Sequence, residues 1–390
     1  MRVVSCLLSL IMAAACSEPV SVDWKRQLQA PSVSTPLVTG SFIAVGNELG
    51  LAILEPNGTP RCAFTTARDV ISAPKTDGKL VFFGSTNYLF YAVDTGCNEV
   101  WKFATGDRIK SDPLVDGKRV YISSYDAHVY ALDAATGTQI WMFPPPSPVK
   151  VDLPPPPEPE PKAVKAKKKG KAKADVEPPP PPPAPPVIRT IKVGDFSYSS
   201  PAIANGILYI GNLDHNLYAL DAQTGNLRGQ FSTGGPVTSS PLVADNMLYF
   251  GSNDGNVYAV DLVNNNIRWK FLTKDWVNSS PRLADGVLYI GSNDRHVYAL
   301  DPTSGSMKWS FETEGPAVSV PAIYKNLVIA AGGSGDGNIY AMQRADGSLF
   351  WKQRTGGKIE SDPVVVGDKL YVSSADQFLY VFSFLRTTAE

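Results

Sequence analysis

The sequence predicts an all-β fold, an eight-bladed β-propeller built from four-stranded antiparallel blades. Three observations lead to this prediction. A phrase recurs about every forty residues, which is the period of propeller blades. Each copy contains four short apolar or alternating runs, and no segment has a helical period of any length. The run that the last copy lacks stands near the N-terminus, so the two ends can complete one blade.

The repeat can be counted in two independent ways. A Tyr-Ala pair or its equivalent begins at Leu51, Tyr91, Tyr130, Tyr218, Tyr258, Tyr298, Tyr340 and Tyr380. The spacings are 40, 39, 88, 40, 40, 42 and 40, so the long interval is one normal period plus about 48 residues. A proline precedes each unit, at Pro36, Pro74, Pro113, Pro201, Pro241, Pro281, Pro321 and Pro363. Both series predict eight blades.

Residues 239–271 show the plan of one unit. The runs PLV, MLYFG, NVYAV and IRWKF are separated by clusters of Asn, Asp and Gly, which is typical of strands joined by tight hairpins. The eighth unit stops after FLYVFSF at 378–384, whereas VDWKRQL at 22–28 matches IRWKFLT at 267–273. We therefore predict that residues 22–28 pair with the last blade and close the ring, which leaves no free sheet edge.

The N-terminus is typical of an export signal over residues 1–15. A single Arg2 is followed by about ten apolar residues, too few to span a bilayer as a permanent helix. Three alanines before Cys16 resemble a bacterial lipobox, so we expect Cys16 to be acylated and residues 16–21 to form a lipid-anchored tether. The alternative is a secreted protein cut after Ala15. Ser17, rather than an Asp, follows the cysteine and favours the outer membrane, with the protein facing the periplasm.

Beyond the tether we assign residues 22–143 to the closing strand and blades 1–3, residues 188–385 to blades 4–8 and residues 386–390 to a tail. The insert at 144–187 holds eighteen of the 33 prolines and seven lysines between Lys162 and Lys173, and we expect it to be disordered. The lysines form a solvated spacer or contact anionic lipid, lipopolysaccharide or a cell-wall polymer. With a net charge of -1 and an export signal, we expect no nucleic-acid partner.

The pattern Ala-x-Asp-x-x-Thr-Gly-x-x-x-Trp, seen at 131–141 and with Ser for Thr at 299–309, resembles the tryptophan-docking motif of PQQ-type propellers. The resemblance implies that each Trp stacks between the Ala of its own motif and the Gly turn of the next blade. The docking tryptophans are then Trp24, Trp101, Trp141, Trp269, Trp309 and Trp351. Short blades with a lipobox also resemble the outer-membrane barrel-assembly lipoproteins, which implies a non-enzymatic scaffold whose partners are proteins of that assembly machinery.

Two units lack the docking Trp and have Cys62 or Gly229 in its place. After Cys16 the only cysteines are Cys62 and Cys97, an even pair in an oxidising compartment. If the docking geometry of the resembled family holds, Cys62 points at the turn TGC of the next blade. The resemblance therefore implies a Cys62–Cys97 disulfide in place of the missing stack.

No catalytic constellation stands out. The three histidines, His128, His215 and His296, fall in turns of different blades without a metal-ligand spacing, so we expect no metal site. The aspartates that recur once per blade, Asp133, Asp221, Asp261 and Asp301, indicate turn hydrogen bonding rather than paired carboxylates. We expect no enzyme activity and no cofactor. The alternative is a PQQ-dependent dehydrogenase or a ligand-sensing propeller, although the dehydrogenases carry adjacent cysteines and here no two are adjacent.

A partner surface is predicted on one face of the ring. Loops between blades and turns between second and third strands share a face, and on it we place the candidate partner residues Phe196, Tyr198, Trp276, Arg295, His128, His215 and His296. Exposed aromatics beside an Arg are typical of protein interaction hot spots. In the alternative interpretation, Phe196 and Tyr198 cap the channel or pack between blades.

Overall fold

The computed structural model describes residues 19–145, 194–196, 198–333 and 335–384. These residues form 32 strands in eight four-stranded antiparallel sheets, which confirms the all-β, eight-bladed propeller. The predicted signal peptide, Cys16, the insert from residue 146 onward with Lys162 to Lys173, and the tail at 386–390 lie outside the described residues. Within the described ranges, no helix has the length and apolar character needed to cross a membrane.

The strands follow one another blade by blade. Blades 1–3 contain β2 (Leu37–Val38), β3 (Ile43–Asn47), β4 (Gly50–Leu54), β5 (Pro60–Thr65); β6 (Lys75–Thr76), β7 (Leu80–Gly84), β8 (Leu89–Asp94), β9 (Glu99–Ala104); and β10 (Leu114–Asp116), β11 (Arg119–Ser123), β12 (Val129–Asp133), β13 (Gln139–Phe143). Blades 4 and 5 contain β14 (Ala202–Ala204), β15 (Ile207–Gly211), β16 (Asn216–Asp221), β17 (Leu227–Ser232); and β18 (Leu242–Ala244), β19 (Met247–Gly251), β20 (Asn256–Asp261), β21 (Asn266–Leu272).

Blades 6 and 7 contain β22 (Arg282–Ala284), β23 (Val287–Ser292), β24 (His296–Leu300), β25 (Met307–Glu312); and β26 (Ala322–Tyr324), β27 (Leu327–Ala331), β28 (Asn338–Gln343), β29 (Leu349–Arg354). Blade 8 contains β30 (Val364–Val366), β31 (Lys369–Ser374), β32 (Phe378–Phe384) and, from the start of the chain, β1 (Val20–Gln27). In blade 5 the four runs predicted from sequence agree with β18–β21 to within one residue at each end.

The ring closes through β1, as predicted. β1 pairs antiparallel with β32, from Val20 opposite Phe384 to Gln27 opposite Phe378, with a bulge between Val22 and Trp24. The closing strand therefore begins two residues earlier than the sequence match at 22–28 indicated. Because β1 covers the outer edge of β32, the last blade has the same four strands as the other seven.

In six of the eight blades the recurring Tyr links its blade to the loop that enters it. In six blades its hydroxyl donates to an Asp four residues earlier at 2.5 to 2.9 Å, in the pairs Tyr130–Asp126, Tyr218–Asp214, Tyr258–Asp254, Tyr298–Asp294, Tyr340–Asp336 and Tyr380–Asp376. The same carboxylates accept a backbone N–H from the entering loop, as Asp126 does from Gly106 at 2.6 Å. Burial first, and then the Asp376 carboxylate, raise the pKa of Tyr380 to about 12, so this hydroxyl keeps its proton.

Five seams between blades have the stacked Trp and Gly that the docking motif implies. The pairs are Trp24–Gly58, Trp101–Gly137, Trp141–Gly225, Trp269–Gly305 and Trp309–Gly347. Each of these glycines has a positive φ, and a β-carbon built on any of them would lie 2.5 to 2.7 Å from the facing indole. Only glycine therefore permits both the backbone conformation and the close approach. Four of the indoles also donate to a backbone carbonyl of the next blade, at 2.8 to 3.1 Å.

The other three seams are built differently. Trp351 of blade 7 meets Phe382 of blade 8 edge to face, with the ring centroids 5.3 Å apart. Cys62 and Cys97 form a disulfide between blades 1 and 2 with Cα atoms 6.0 Å apart. Gly229, between blades 4 and 5, has no atom within 4 Å of the place where a β-carbon would be. Among the described residues, this seam has neither a stacked indole nor a disulfide.

Candidate functional site

The two faces of the ring have different structures. The face that carries the loops between blades and the turns between second and third strands is called the loop face here, and the opposite one the turn face. An axial cavity of about 970 Å³ runs between them, lined by the first strands of the blades and the residues before them.

The wall of this axial cavity contains a ring of hydrogen bonds that passes from blade to blade. The backbone N–H of the residue before a blade's proline donates to the side chain of the equivalent residue in the next blade. Six of the eight links are present at 2.7 to 2.9 Å, namely Ala73 to Asp112, Asp112 to Ser200, Ser200 to Ser240, Ser240 to Ser280, Val320 to Asp362 and Asp362 to Thr35. The two missing links would need Ala73 or Val320 as acceptor, and neither side chain can accept.

The axial ring contains two carboxylates, those of Asp112 and Asp362. Burial first, and then the charge of Asp112, raise the pKa of Asp362 to about 6. Lys75 Nζ lies 3.7 Å from Asp112 Oδ2. Each carboxylate accepts a backbone N–H of the preceding blade, Asp112 from Ala73 and Asp362 from Val320, so both help to join neighbouring blades.

The loop face has a cluster of aromatic and basic side chains between blades 3 and 4. Tyr125 and Tyr198 meet edge to face with centroids 5.6 Å apart, and Lys110 Nζ lies 5.2 and 5.7 Å from the two rings. The Arg108 guanidinium lies 5.4 Å from the Tyr125 ring. Tyr198 is 53% exposed and also lines the mouth of the axial cavity. Cation–π contacts of this kind hold aromatic rings in place.

A second exposed aromatic lies between blades 5 and 6 on the same face. The Trp276 carbonyl accepts hydrogen bonds from the Asn293 N–H at 2.8 Å and from Ser292 Oγ at 3.2 Å, while its own N–H donates to Asp275 Oδ1 at 2.7 Å. The backbone is therefore fixed to the next blade, yet the residue is 53% exposed. Leu272, at the end of β21, is 69% exposed.

The structure corrects one member of the predicted partner surface. Phe196 is fully buried and packs against Phe143 and Tyr218, with ring centroids 6.2 and 5.6 Å away. The first of the two interpretations was therefore wrong for Phe196, which fills the space between blades 3 and 4. Tyr198, two residues later, is turned outward.

The remaining predicted residues of this surface are on the loop face but are not brought together. His128 and His296 each approach the carbonyl of an Asp two residues earlier, at 2.8 and 3.0 Å, and both are half-buried. His215 is exposed in the turn after β15. Arg295 makes an ion pair with Glu312 at 3.0 Å. The described residues contain no group of three side chains that could hold a metal ion.

Sequence reasoning missed Tyr125, Arg108, Lys110 and Leu272, because exposure and ring contacts carry no periodic signal. It also missed a serine with a clear one. A Ser stands two residues before the proline of every unit, at Ser34, Ser72, Ser111, Ser199, Ser239, Ser279, Ser319 and Ser361, and all eight are buried. Most of their hydroxyls donate to a backbone carbonyl of the second strand of the same blade or of the next blade. Ser199 Oγ, for example, donates to the Ser239 carbonyl at 3.1 Å.

The eight blades and the Trp–Gly stacks between them define the class of the eight-bladed PQQ-like β-propellers. The family model described as outer membrane protein assembly factor BamB matches residues 24–172, 190–276, 215–337 and 320–388. The chain belongs to the BamB family. A search of curated proteins found no match.

Solved structures show the same fold at low sequence identity. BamB from Moraxella catarrhalis superposes with a TM-score of 0.71 at 14% identity, over 94% of this chain and 100% of that one. A quinohemoprotein alcohol dehydrogenase from Comamonas testosteroni also gives 0.71 at 14% identity, over 96% of this chain and 78% of that one. The computationally designed protein Ika8 gives 0.70 at 13% identity, over 92% and 98%.

Proposed function

We propose that this protein is a non-enzymatic, lipid-anchored scaffold that faces the periplasm and binds partner proteins of outer-membrane β-barrel assembly through its loop face. Membership of the BamB family supports the assembly role. The three alanines before Cys16 support the anchor and the compartment. The observation that carries the proposal is the pair of exposed aromatics, Trp276, whose backbone bonds the next blade, and Tyr198, whose ring packs on Tyr125.

The two exposed aromatic side chains gain binding free energy when a partner covers them. A half-exposed Trp or Tyr buries a large apolar area against a partner, and the hydrogen-bonded backbone of Trp276 lowers the entropy cost of binding. The cations beside Tyr125 and Tyr198 add charge that a partner's carboxylates can meet. The axial ring, in contrast, already uses the polar groups of the channel wall to join blades.

Capture of a defined partner tests the proposal. The anchored protein is purified from membranes after crosslinking, and the captured proteins are identified by mass spectrometry. We expect a component of the outer-membrane β-barrel assembly machinery to be captured by the parent and lost in Trp276→Ala and Tyr198→Ala. Val366→Ala is the control, because Val366 is 42% exposed at the turn-face end of β30. Equal capture by all four proteins would contradict the proposal.

The lipid anchor has its own test. Acylation adds a mass at Cys16, and Cys16→Ser should release the protein from the membrane into the soluble periplasmic fraction. The basic segment from Lys162 to Lys173 is proposed to add contact with an anionic lipid or cell-wall polymer. Deleting residues 144–187 should then weaken binding to anionic vesicles at low salt and have little effect at high salt.

A quinone-dependent dehydrogenase is the second candidate, favoured by the size of the axial cavity and by the likeness to quinohemoprotein dehydrogenases. The residues present do not fit a cofactor held beneath adjacent cysteines, since Cys62 and Cys97 join the outer parts of two blades and neither lines the cavity. Titration with PQQ and calcium decides between the candidates. Saturable binding of the chromophore would favour the enzyme.

A further inference from the structure

Arg344 of blade 7 fills the seam between blades 6 and 7 on the turn face. Its Nη1 donates to Asp285 Oδ2 at 2.6 Å, its Nη2 to the Ala284 carbonyl at 3.1 Å and its Nε to the Tyr289 hydroxyl at 3.2 Å. The guanidinium carbon also lies 5.9 Å from the centre of the Tyr289 ring. One arginine thus meets a carboxylate, a carbonyl and a phenol that all belong to the preceding blade.

The seam between blades 5 and 6 has the same three acceptors. Ala244, Asp245 and Tyr249 stand in the same register in blade 5, where Ala244 pairs with Met247 as Ala284 pairs with Val287 in blade 6. The residue at the position of Arg344 is Pro302. The equivalence is independent of sequence spacing, because the Pro302 carbonyl accepts the Trp269 indole N–H at 2.9 Å just as the Arg344 carbonyl accepts that of Trp309 at 2.8 Å.

Since proline cannot fill the space, a cavity of about 540 Å³ remains there, lined among others by Asp245, Met247, Tyr249 and Pro302. The Asp245 carboxylate is exposed and has no hydrogen-bond or ion-pair partner in the part of the chain that the structure describes. The one arginine of the lining, Arg268, lies with Nη1 3.6 Å from Asp261 Oδ2. Asp261 thus balances the positive charge of Arg268, and the negative charge of Asp245 has no cation paired with it among the described residues.

An arginine also spans a third seam on the turn face. Between blades 3 and 4 the equivalent position is Ala222, and there Arg119 reaches across from blade 3 and donates to the Ala222 carbonyl at 2.8 Å. Tyr121 donates to the same carbonyl at 3.0 Å. In two seams an arginine of the chain itself therefore donates to groups of the neighbouring blade. Between blades 5 and 6, no described guanidinium donates to Asp245, the Ala244 carbonyl or Tyr249, since Arg268 pairs with Asp261.

We propose that the pocket between blades 5 and 6 binds an arginine side chain presented by a partner protein, which occupies the place that Arg344 fills in the next seam. Asp245 and the Ala244 carbonyl accept from the terminal nitrogens, and the Tyr249 hydroxyl accepts from Nε. The planar guanidinium suits three acceptors set beside an aromatic ring, whereas a lysine ammonium matches neither the plane nor the fork. The pocket is on the turn face and the proposed partner surface on the loop face, so the two proposals can fail separately.

Met247 reports on this pocket directly. The protein has six methionines, and Met247 lines the pocket, whereas Met342 is buried between blades 6 and 7. In protein with 13C-labelled methionine methyl groups, Nα-acetyl-arginine methylamide should shift the Met247 signal saturably and leave that of Met342 unchanged. The matched citrulline compound, which has the same shape without the charge, should give no saturable shift.

Three variants sharpen the test. Pro302→Arg supplies the missing side chain in the chain itself, so it should abolish the arginine-induced shift and raise the midpoint of thermal unfolding. Asp245→Asn should weaken binding of the arginine compound by roughly tenfold or more, because it removes the charge of the acceptor. Asp346→Asn, an equal charge change on the turn face of blade 7, is the control and should bind as the parent does.

The outcomes separate cleanly. A saturable Met247 shift that needs both the guanidinium and Asp245 supports the proposal. It is overturned if Met247 does not respond to the arginine compound, if the citrulline compound acts equally, or if Asp245→Asn binds with unchanged affinity. Asp245→Asn keeps the test valid even if Pro302→Arg alters the turn.

Discussion

Cys97 occupies the backbone position of a docking glycine, and its disulfide to Cys62 stands where five other seams stack an indole on that glycine. Its φ of 63° lies in the left-handed region, like the φ of 70° at Gly137. Its N–H bonds the Asp94 carbonyl as the Gly137 N–H bonds that of Asp133. The turn is one residue shorter in blade 2, so Cys97 and not Gly96 faces the preceding blade. The disulfide therefore replaces both partners of the stack at once.

Removing this disulfide should destabilise the ring. The two cysteines are 35 residues apart, and a crosslink that closes a loop of this size contributes about 2–4 kcal/mol. We expect Cys62→Ala with Cys97→Ala to lower the free energy of unfolding by that amount in urea titrations. The double variant Cys62→Trp with Cys97→Gly should recover part of the loss, since it restores the stack of the other seams. A double alanine variant as stable as the parent would show that the seam does not need a crosslink.

Glycines at two seams should respond in opposite ways to the same substitution. Gly347→Ala places a β-carbon 2.7 Å from Trp309 Cε3 at a φ of +75°, so it should cost at least about 1–2 kcal/mol. Gly229→Ala has no atom within 4 Å and lies in a strand, so it should be neutral or slightly stabilising. Both are measured by urea unfolding followed through Trp fluorescence. Equal effects would mean that the docking contact does not limit stability.

The closing strand should act as a separable part of the last blade. Without residues 20–27 the outer edge of β32 is free, so we expect concentration-dependent oligomers and a lower midpoint of thermal unfolding. A synthetic peptide of residues 19–28 should restore the monomer and the melting point, because the pairing needs only the strand. A peptide of scrambled sequence is the control. If the shortened protein stays monomeric and equally stable, closure by β1 does not govern its solubility.

The contribution of Asp362 to the free energy of unfolding should be larger in mild acid than at neutral pH. Its pKa is raised to about 6, above the ordinary value of 3.8, so the folded state binds a proton more tightly than the unfolded state does. The resulting stabilisation is complete below about pH 3.8 and is lost as the pH rises through 6.

Asp362→Asn keeps an oxygen that can accept the Val320 N–H but does not titrate. We expect it to raise stability at pH 7 by about 1–2 kcal/mol, which allows for water in the channel, and to flatten the pH profile of unfolding between pH 4 and 6. Asp346→Asn, at an exposed turn, serves as the control and should leave that part of the profile unchanged. A steeper profile in Asp362→Asn would contradict the assignment.

Sequence alone predicted the number of blades, the strands within them and the closing pair, because these depend on a repeat whose copies can be compared with one another. The docking tryptophans and the Cys62–Cys97 pair followed from the resemblance of the motif. The axial ring left a signal as well, since Ser-x-Pro recurs once in every unit. Its hydrogen bonds, however, join residues of neighbouring blades, which the sequence of one unit does not show.

Only the tertiary structure decided which side chains face outward and which seams are complete. Phe196 and Tyr198 are two residues apart, yet Phe196 is buried against Phe143 and Tyr218 whereas Tyr198 is exposed. The open pocket between blades 5 and 6 depends on a proline opposite three acceptors in another blade. Such features arise from packing between blades, which no single repeat contains, and for this reason the repeat pattern could not predict them.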